Sequence, residues 1–301
     1  MALVPINTQH ALRILAGTQG RNTGHSYEED LADAINQIPL PISINTHLIG
    51  NVFQTISEAL TLISYIAQTL NVHTITQLSA VATGGLATSS KTQGVLFNGQ
   101  NIKKCKSDIL IKINNMFDIG VSIKQCNNRI PTNAQVYFTT ATGFSNLLRS
   151  NQISVSQTAE NAMKQFCGDA GFTPPNASRY FWEEINTIGR LEWENTFSTY
   201  QDEISKILLQ KAYSHDPFAP NFLLHKTKKF TVTSREIAIY SIDELIQKSK
   251  NYGSFSTRKY SSRGKLHLAP RFGIFQMQRA GSKQHPTQLQ FNLKAGYFYV
   301  I

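Results

Sequence analysis

The sequence predicts an α/β or α+β fold, and three observations carry that expectation. Apolar residues recur at helical spacing before residue 70 and again between 134 and 213. Two β-rich runs, SDILIKI (107–113) and GVSIKQC (120–126), lie between those helical stretches. The end of the chain alternates instead, as a half-buried strand does. With 301 residues, 41% apolar and only 16% charged, the chain can bury a substantial core as one large domain or two modest ones.

In chain order, Thr8–Ile38 reads as helix interrupted by the polar, glycine-bearing GTQGRNTGHS. Residues 45–70 predict one long helix around VFQTISEALTLISYIA, with Leu60, Ser64 and Tyr65 at helical spacing. A loop rich in Gly, Thr and Ser (82–94) precedes the two β-rich runs, which the six residues NNMFDI connect. Residues 134–150 and 155–167 predict helices that end near CGDAGFTPPN, where Gly168, Gly171, Pro174 and Pro175 punctuate the chain. Arg179–Tyr213 reads as strongly helical and supplies Trp182 and Trp193. Past Pro217 and Pro220 the pattern is mixed until SIDELIQKSK (241–250), the last good helix. In LQFNLKAGYFYV, Leu289, Phe291 and Leu293 share one face, and Gln288, Gln290, Asn292 and Lys294 the other. Tyr297, Phe298 and Tyr299 read as core.

Several classes drop out. No run approaches the roughly 18 uninterrupted apolar residues of a membrane span, and no basic segment followed by an apolar one opens the sequence. Cys105, Cys126 and Cys167 are odd in number and lack CxxC spacing, which argues against a disulfide framework or a zinc knuckle. The expectation is a cytoplasmic protein that makes no membrane contact. The motifs H-E-x-x-H, G-x-x-x-x-G-K-[ST] and G-x-S-x-G are missing, and no histidine pair has metal-ligand spacing.

The charge is informative by position. Lys and Arg number 29 against 19 Asp and Glu, for a formal charge of +10. After Glu244 there is no acidic residue, and Lys248, Lys250, Arg258, Lys259, Arg263, Lys265, Arg271, Arg279, Lys283 and Lys294 account for the whole excess. A one-signed segment repels itself unless a polyanion neutralises it, so phosphate backbones are the natural partner. A solvated basic face without a ligand is another reading, and an acidic membrane surface a weaker one, because the segment lacks a basic amphipathic helix.

Alternation along the two central runs places Asp108, Leu110 and Lys112 on one face and Ile109, Ile111 and Ile113 on the other. Ser122 and Lys124 share a face of the second run. A hairpin would bring Asp108 beside Ser122 and Lys124, a costly arrangement on an apolar platform unless the charges meet each other, a metal or a ligand. An ordinary surface hairpin is the alternative.

This spacing, D-x13-S-x-K, resembles the core of PD-(D/E)XK nucleases, specifically type II restriction endonucleases. In that family an Asp begins one strand and an acid-x-Lys triplet lies on the next. Here Ser122 takes the acid position, and Ser107 stands where Pro often precedes the Asp. The N-terminal segment GHSYEEDL is similar to the family's first helix, G-x-x-[FY]-E-x-x-L, whose Glu leans toward the metal site. In HSYEEDLADAINQI the residues Tyr27, Leu31, Ala34, Ile35 and Ile38 form one apolar sector, with Glu28 at its edge and Glu29 nearly opposite. Glu28 is therefore the expected second carboxylate, ahead of Glu29 and of Glu160, although an acidic first turn also suits a helix dipole.

The resemblance implies a central mixed β-sheet flanked by helices, with residues 1–175 as nuclease core and 176–301 as a helical segment plus a basic β-rich recognition portion packed on it. It implies Mg²⁺ held by Asp108, the main-chain carbonyl of Ile123, and Glu28. Lys124 would orient the attacking water or stabilise developing charge, and Ser122 would be a weaker ligand than a carboxylate. The partner implied is double-stranded DNA, cut by a homodimer at short palindromic sites to leave 5′-phosphate ends. A structure-specific repair or recombination nuclease and a catalytically inactive nucleic-acid-binding protein are the rival outcomes. In the tail, FGIFQMQRAGSKQHPTQLQFNLKAG can form a hairpin that presents Gln276, Gln278, Arg279, Lys283, Gln284, Gln288 and Gln290 to base edges. Arg258, Lys259, Arg263 and Lys265 would contact phosphates, and His25 and His285 could also touch DNA.

Overall fold

The computed structural model describes residues 8, 25–44, 47–84, 86, 94–126, 133–210, 216, 218–229, 234–262, 264–279 and 288–294. The chain forms two compact units, one holding Gly17–Ala134 and Leu209–Leu245, the other Gln135–Leu208 and Ile246–Lys294. Each is therefore discontinuous in sequence.

The first unit is built on a six-stranded sheet of order β2-β11-β10-β8-β7-β4: β2 (Val52–Thr55), β4 (Leu78–Ala82), β7 (Ile109–Ile113), β8 (Phe117–Gln125), β10 (Phe222–Lys229) and β11 (Arg235–Ser241). Every neighbouring pair is antiparallel except β8 with β10, so the sheet is mixed. Two-stranded pairs, β1 (Ile42–Ser43) with β3 (Thr74–Ile75) and β5 (Val95–Phe97) with β6 (Gln100–Ile102), complete the strands of this unit. A helix over residues 25–36 (α1) and α2 (Glu58–Thr69) cover one sheet face. Leu31, Ile35, Leu62, Ile63 and Ile66 pack there on Ile109, Ile111, Ile113, Val121, Leu224, Ile237 and Ile239. The isoleucine face predicted for β7 thus points into the main core. On the opposite face Leu110 packs with Leu86, Phe97, Ile102 and Cys105.

The second unit carries the sheet β12-β13-β14-β15-β9: β9 (Ala134–Thr140), β12 (Phe255–Ser262), β13 (Lys265–Phe272), β14 (Phe275–Arg279) and β15 (Gln288–Leu293). Its helices are α3 (Ala141–Ser150), α4 (Gln157–Cys167), α5 (Thr187–Thr199), α6 (Gln201–Gln210) and, begun in the other unit, α7 (Ile242–Lys250). Aromatic rings form the core: Phe144 stacks on Trp193 (centroids 5.6 Å apart) and tilts against Phe291 (4.7 Å), and Phe197 stacks on Phe272 (4.6 Å). Leu289, Phe291 and Leu293 are fully buried, as their alternation predicts.

Several boundaries differ from the sequence expectation. Residues 45–70 do not form one helix: Val52–Thr55 extends as β2, and Ser57 caps α2 by accepting the Leu60 N–H. Residues 134–140 are strand, not helix, because the run Val136–Thr140 is β-branched or aromatic, and Thr140 then caps α3. The stretch 179–210 is broken into a 3₁₀ turn at Trp182–Glu184, α5 and α6. The region after Pro220 holds two full strands, β10 and β11. The β7–β8 connection is three residues rather than six, since Asn114 and Asn115 both adopt the left-handed conformation (φ 51° and 53°) that closes a tight hairpin.

Candidate active site

The chemistry gathers where β7 and β8 pair. Asp108 stands one residue before β7, its N–H bonded to the Val121 carbonyl (2.8 Å) and its carbonyl accepting from Thr83 N (2.9 Å) and Gly84 N (3.3 Å). Main-chain bonds on both sides therefore fix the position of its side chain. The preceding residues are anchored as well. Ser107 donates its hydroxyl to the Phe218 carbonyl (2.6 Å), Thr83 donates to the Ser107 carbonyl (2.6 Å), and Asp216 accepts the Lys106 N–H (2.5 Å). Gly120 belongs to the same arrangement, because a Cβ there would strike the Ser107 hydroxyl and the carbonyl of Ala219.

Asp108 Oδ2 accepts from Ile123 N–H (2.6 Å) and the Ser122 hydroxyl (3.1 Å), and Lys124 Nζ lies 3.4 Å away. The same ammonium reaches Ser122 Oγ (3.1 Å) and the Ile123 carbonyl (2.8 Å). Asp108 and Lys124 retain 23% and 20% of their side-chain exposure, so the pair remains open to a ligand while water is largely kept from it. Alternation puts Ser122 and Lys124 on one face of the second run, a hairpin is the arrangement that would bring Asp108 beside them, and the three lie within hydrogen-bonding distance.

Glu28 is buried and Glu29 exposed. The buried stripe of α1 is Glu28, Leu31, Ala32 and Ile35; Ala34, expected in the apolar sector, faces solvent instead. The Glu28 carboxylate lies against Gly84, where a Cβ would collide with it, and Gly84 is the residue whose N–H meets the Asp108 carbonyl. Glu160 is buried in the other unit, where it pairs with Arg149 (2.7 Å) and Lys164 (2.9 Å). Those partners hold its carboxyl below the ordinary range against the opposing effect of burial.

Two groups at the site went unread in the sequence. Lys106 is half-buried, and its ammonium is pulled down to about 7, first by burial and then by the charge of Lys124. It lies two positions before Asp108, a strand-alternation signal present in KKCKSD. His225 pairs in register with Lys124 across the parallel β8–β10 ladder and is 1% exposed. Burial, with Lys124 adding to it, holds His225 down at about 3, so it is neutral near pH 7. Its folded value lies below the unfolded value of about 6.5. Its contribution to stability is therefore complete above that pH and declines as pH falls toward 3. Exchange of His225 for Asn should flatten the stability profile between pH 6.5 and 3 relative to the parent, as measured by urea unfolding at a series of pH values. Parallel profiles would show that the imidazole is not the group titrating.

A Mg²⁺-type ion takes hard oxygens and keeps much of its water. The Asp108 carboxylate, the Ile123 carbonyl, the Ser122 hydroxyl and the nearby Glu28 carboxylate are donors of that kind. Among the described residues no three or more His, Cys, Asp or Glu side chains converge on one point. The set suits a largely hydrated ion better than a caged one.

In the second unit, Arg258 and Lys259 are exposed on β12 and Lys265 at the start of β13. Gln276, Gln278 and Arg279 lie on β14 and pair in register with Asn292, Gln290 and Leu289 of β15. Gln278 donates to Gln290 (3.1 Å), and Gln288 and Gln290 are half-buried. Arg279 is held internally: its guanidinium bonds the carbonyls of Phe166 and Tyr180 and stacks on the Phe181 ring (4.7 Å). His25 is half-exposed. Arg263, Lys283, Gln284, His285, Tyr297, Phe298 and Tyr299 lie outside the described residues. No described helix is long and apolar enough to cross a membrane.

No family model matches the chain, and no curated protein matches it. Among solved structures, the chain is similar to the restriction endonuclease MspI, crystallised in complex with its cognate DNA, with a TM-score of 0.48 and 12% identity over 78% of each chain.

Proposed function

We propose that the protein is a Mg²⁺-dependent deoxyribonuclease of the type II restriction class, cutting both strands of DNA at a specific sequence and leaving 5′-phosphate ends. The observation that carries this reading is the convergence of Asp108 Oδ2 and Lys124 Nζ, 3.4 Å apart on neighbouring strands and sharing Ser122 and Ile123. Phosphodiester hydrolysis needs an anchored carboxylate, a cation near the attacked phosphorus and a position for water, and the cluster offers each.

When bound, Mg²⁺ neutralises phosphate charge and acidifies a coordinated water. Asp108, the Ile123 carbonyl and Glu28 are the residues to hold it. Ile123 N–H and the Ser122 hydroxyl fix Oδ2 of Asp108, and its Oδ1 is the oxygen to meet the ion. Lys124 directs its three donors at Ser122 Oγ, the Ile123 carbonyl and, at the longest distance, Asp108 Oδ2, and in the complex it would turn the last of these to the attacking water or a non-bridging phosphate oxygen. Lys106, drawn down to about 7, adds an amine beside the same carboxylate that is only partly charged near neutral pH. Recognition falls to the basic unit, with Arg258, Lys259 and Lys265 toward phosphates and Gln276, Gln278, Gln288 and Gln290 toward base edges. A homodimer places one cluster on each strand of a palindrome.

The test is digestion of mapped plasmid DNA with Mg²⁺, followed by sequencing of the ends. Discrete bands with 5′-phosphates are expected. A smear or junction-dependent cutting would favour a structure-specific repair nuclease. Binding without cleavage in both Mg²⁺ and Mn²⁺ would mean that Ser122, at the acid position, has left the core inactive.

A further inference from the structure

Strands β13 and β14 pair only through Arg271–Gln276 and Phe272–Phe275. Beyond Pro270, which has no N–H to extend the ladder, they separate and leave a pocket of about 450 Å³. Arg179, Arg258 and Arg279 line it together with Tyr260, Gln276 and Gln278, and no carboxylate is among its lining residues. Burial and then the charge of Arg179 draw Arg279 down to about 10, against the opposing charge of Glu184 outside the lining, and the lining itself brings three guanidinium groups to one cavity. An anion seated among those guanidinium groups would gain their charge where no lining carboxylate opposes it. A second observation points the same way. Gln276 Oε1 is buried without a hydrogen-bond partner, and a buried acceptor left so is costly until a donor meets it.

We propose that this pocket binds one phosphorylated nucleotide, with its phosphate against the arginines and the amino group of its base, adenine first, against Gln276. Gln is the side chain that matches adenine's paired donor and acceptor, and the pocket has the volume of a small-ligand site. This differs from reading base edges in an intact groove, because a concave site accepts a whole nucleotide. The inference draws on the proposed DNA substrate only for the source of that nucleotide, which is either free or part of a strand.

The experiment is calorimetric titration of the full chain, without divalent metal, using dAMP, TMP, inorganic phosphate and a single-stranded oligo(dA). Tighter binding of dAMP than of inorganic phosphate, on the order of tenfold, is expected. Gln276→Leu should erase the preference of dAMP over TMP while phosphate binding persists. Arg258→Ala, at an exposed position, should weaken all of the anions, and thermal melting of each variant reports its folding. Oligo(dA) competing more strongly than dAMP marks a strand as the source, and dAMP competing more strongly marks a free nucleotide; either result supports the pocket. Equal affinity for dAMP and phosphate, or binding indifferent to both substitutions, overturns it. Because no cleavage is measured, a protein that binds dAMP but cuts nothing would sink the nuclease reading alone. One that cuts DNA but ignores nucleotides would sink the pocket alone.

Discussion

Asp108→Asn and Lys124→Ala should each lower the rate of DNA cleavage by on the order of 10³-fold or more while leaving duplex binding measurable. Asn at 108 keeps an acceptor for Ile123 N–H and for the Ser122 hydroxyl, so the local hydrogen bonds survive and the negative charge is lost. Lys124→Ala leaves Asp108 with those same two donors, at a site that retains 23% exposure, and the fold has little reason to yield. Lys124→Arg tests the geometry more sharply. A planar guanidinium cannot present one compact charge to both Ser122 Oγ and the Ile123 carbonyl as the ammonium does, so charge alone should not restore activity. Single-turnover cleavage with excess enzyme, together with a gel-shift measurement in Ca²⁺, separates chemistry from binding. Wild-type rates in either the Asp108 or the Lys124 variant would remove this cluster from the reaction.

The part of this site that the sequence disclosed is local. Period-two alternation placed Ser122 and Lys124 on one face, a hairpin was the arrangement to bring Asp108 beside them, and helical periodicity separated Glu28 from Glu29. The hidden part joins residues that are distant along the chain. His225 reaches Lys124 through a parallel ladder between segments about a hundred residues apart, and such pairing leaves no turn signature. The anchors Asp216 and Phe218 are equally remote from Lys106 and Ser107. Strands β2 and β9 were hidden for another reason: each runs into a helix through a Ser or Thr cap, so strand and helix together resemble one apolar stretch. Strand β10 carries the apolar run Phe222–Leu224 of a buried strand, which periodicity alone does not separate from helix. In the tail, the alternation of Leu289, Phe291 and Leu293 located the core face correctly. It did not reveal that Arg279 would turn inward onto the carbonyls of Phe166 and Tyr180.

Glu28→Gln should reduce cleavage by about 10- to 100-fold, whereas Glu29→Ala should leave it within about twofold. The two residues are adjacent and carry the same charge, so the comparison isolates where each carboxylate lies. Glu28 is 8% exposed and rests against Gly84; Glu29 faces solvent. A buried carboxylate displaces solvation that its surroundings must replace, which suits a place beside a cation better than a packing role. Gln preserves the volume of Glu28, so a loss of activity with an unchanged melting temperature would be a loss of charge. Gly84→Ala approaches the same carboxylate from its neighbour. A Cβ there has no room while the Glu28 carboxylate keeps its position, and displacing that carboxylate should lower cleavage at least as much as Glu28→Gln does, since the Gly84 N–H also meets the Asp108 carbonyl. If Glu28→Gln cuts as fast as Glu29→Ala, the buried acid only packs beneath Gly84. The site would then work with one carboxylate, and an ion held there would be bound more weakly and need a higher Mg²⁺ concentration for half-maximal rate.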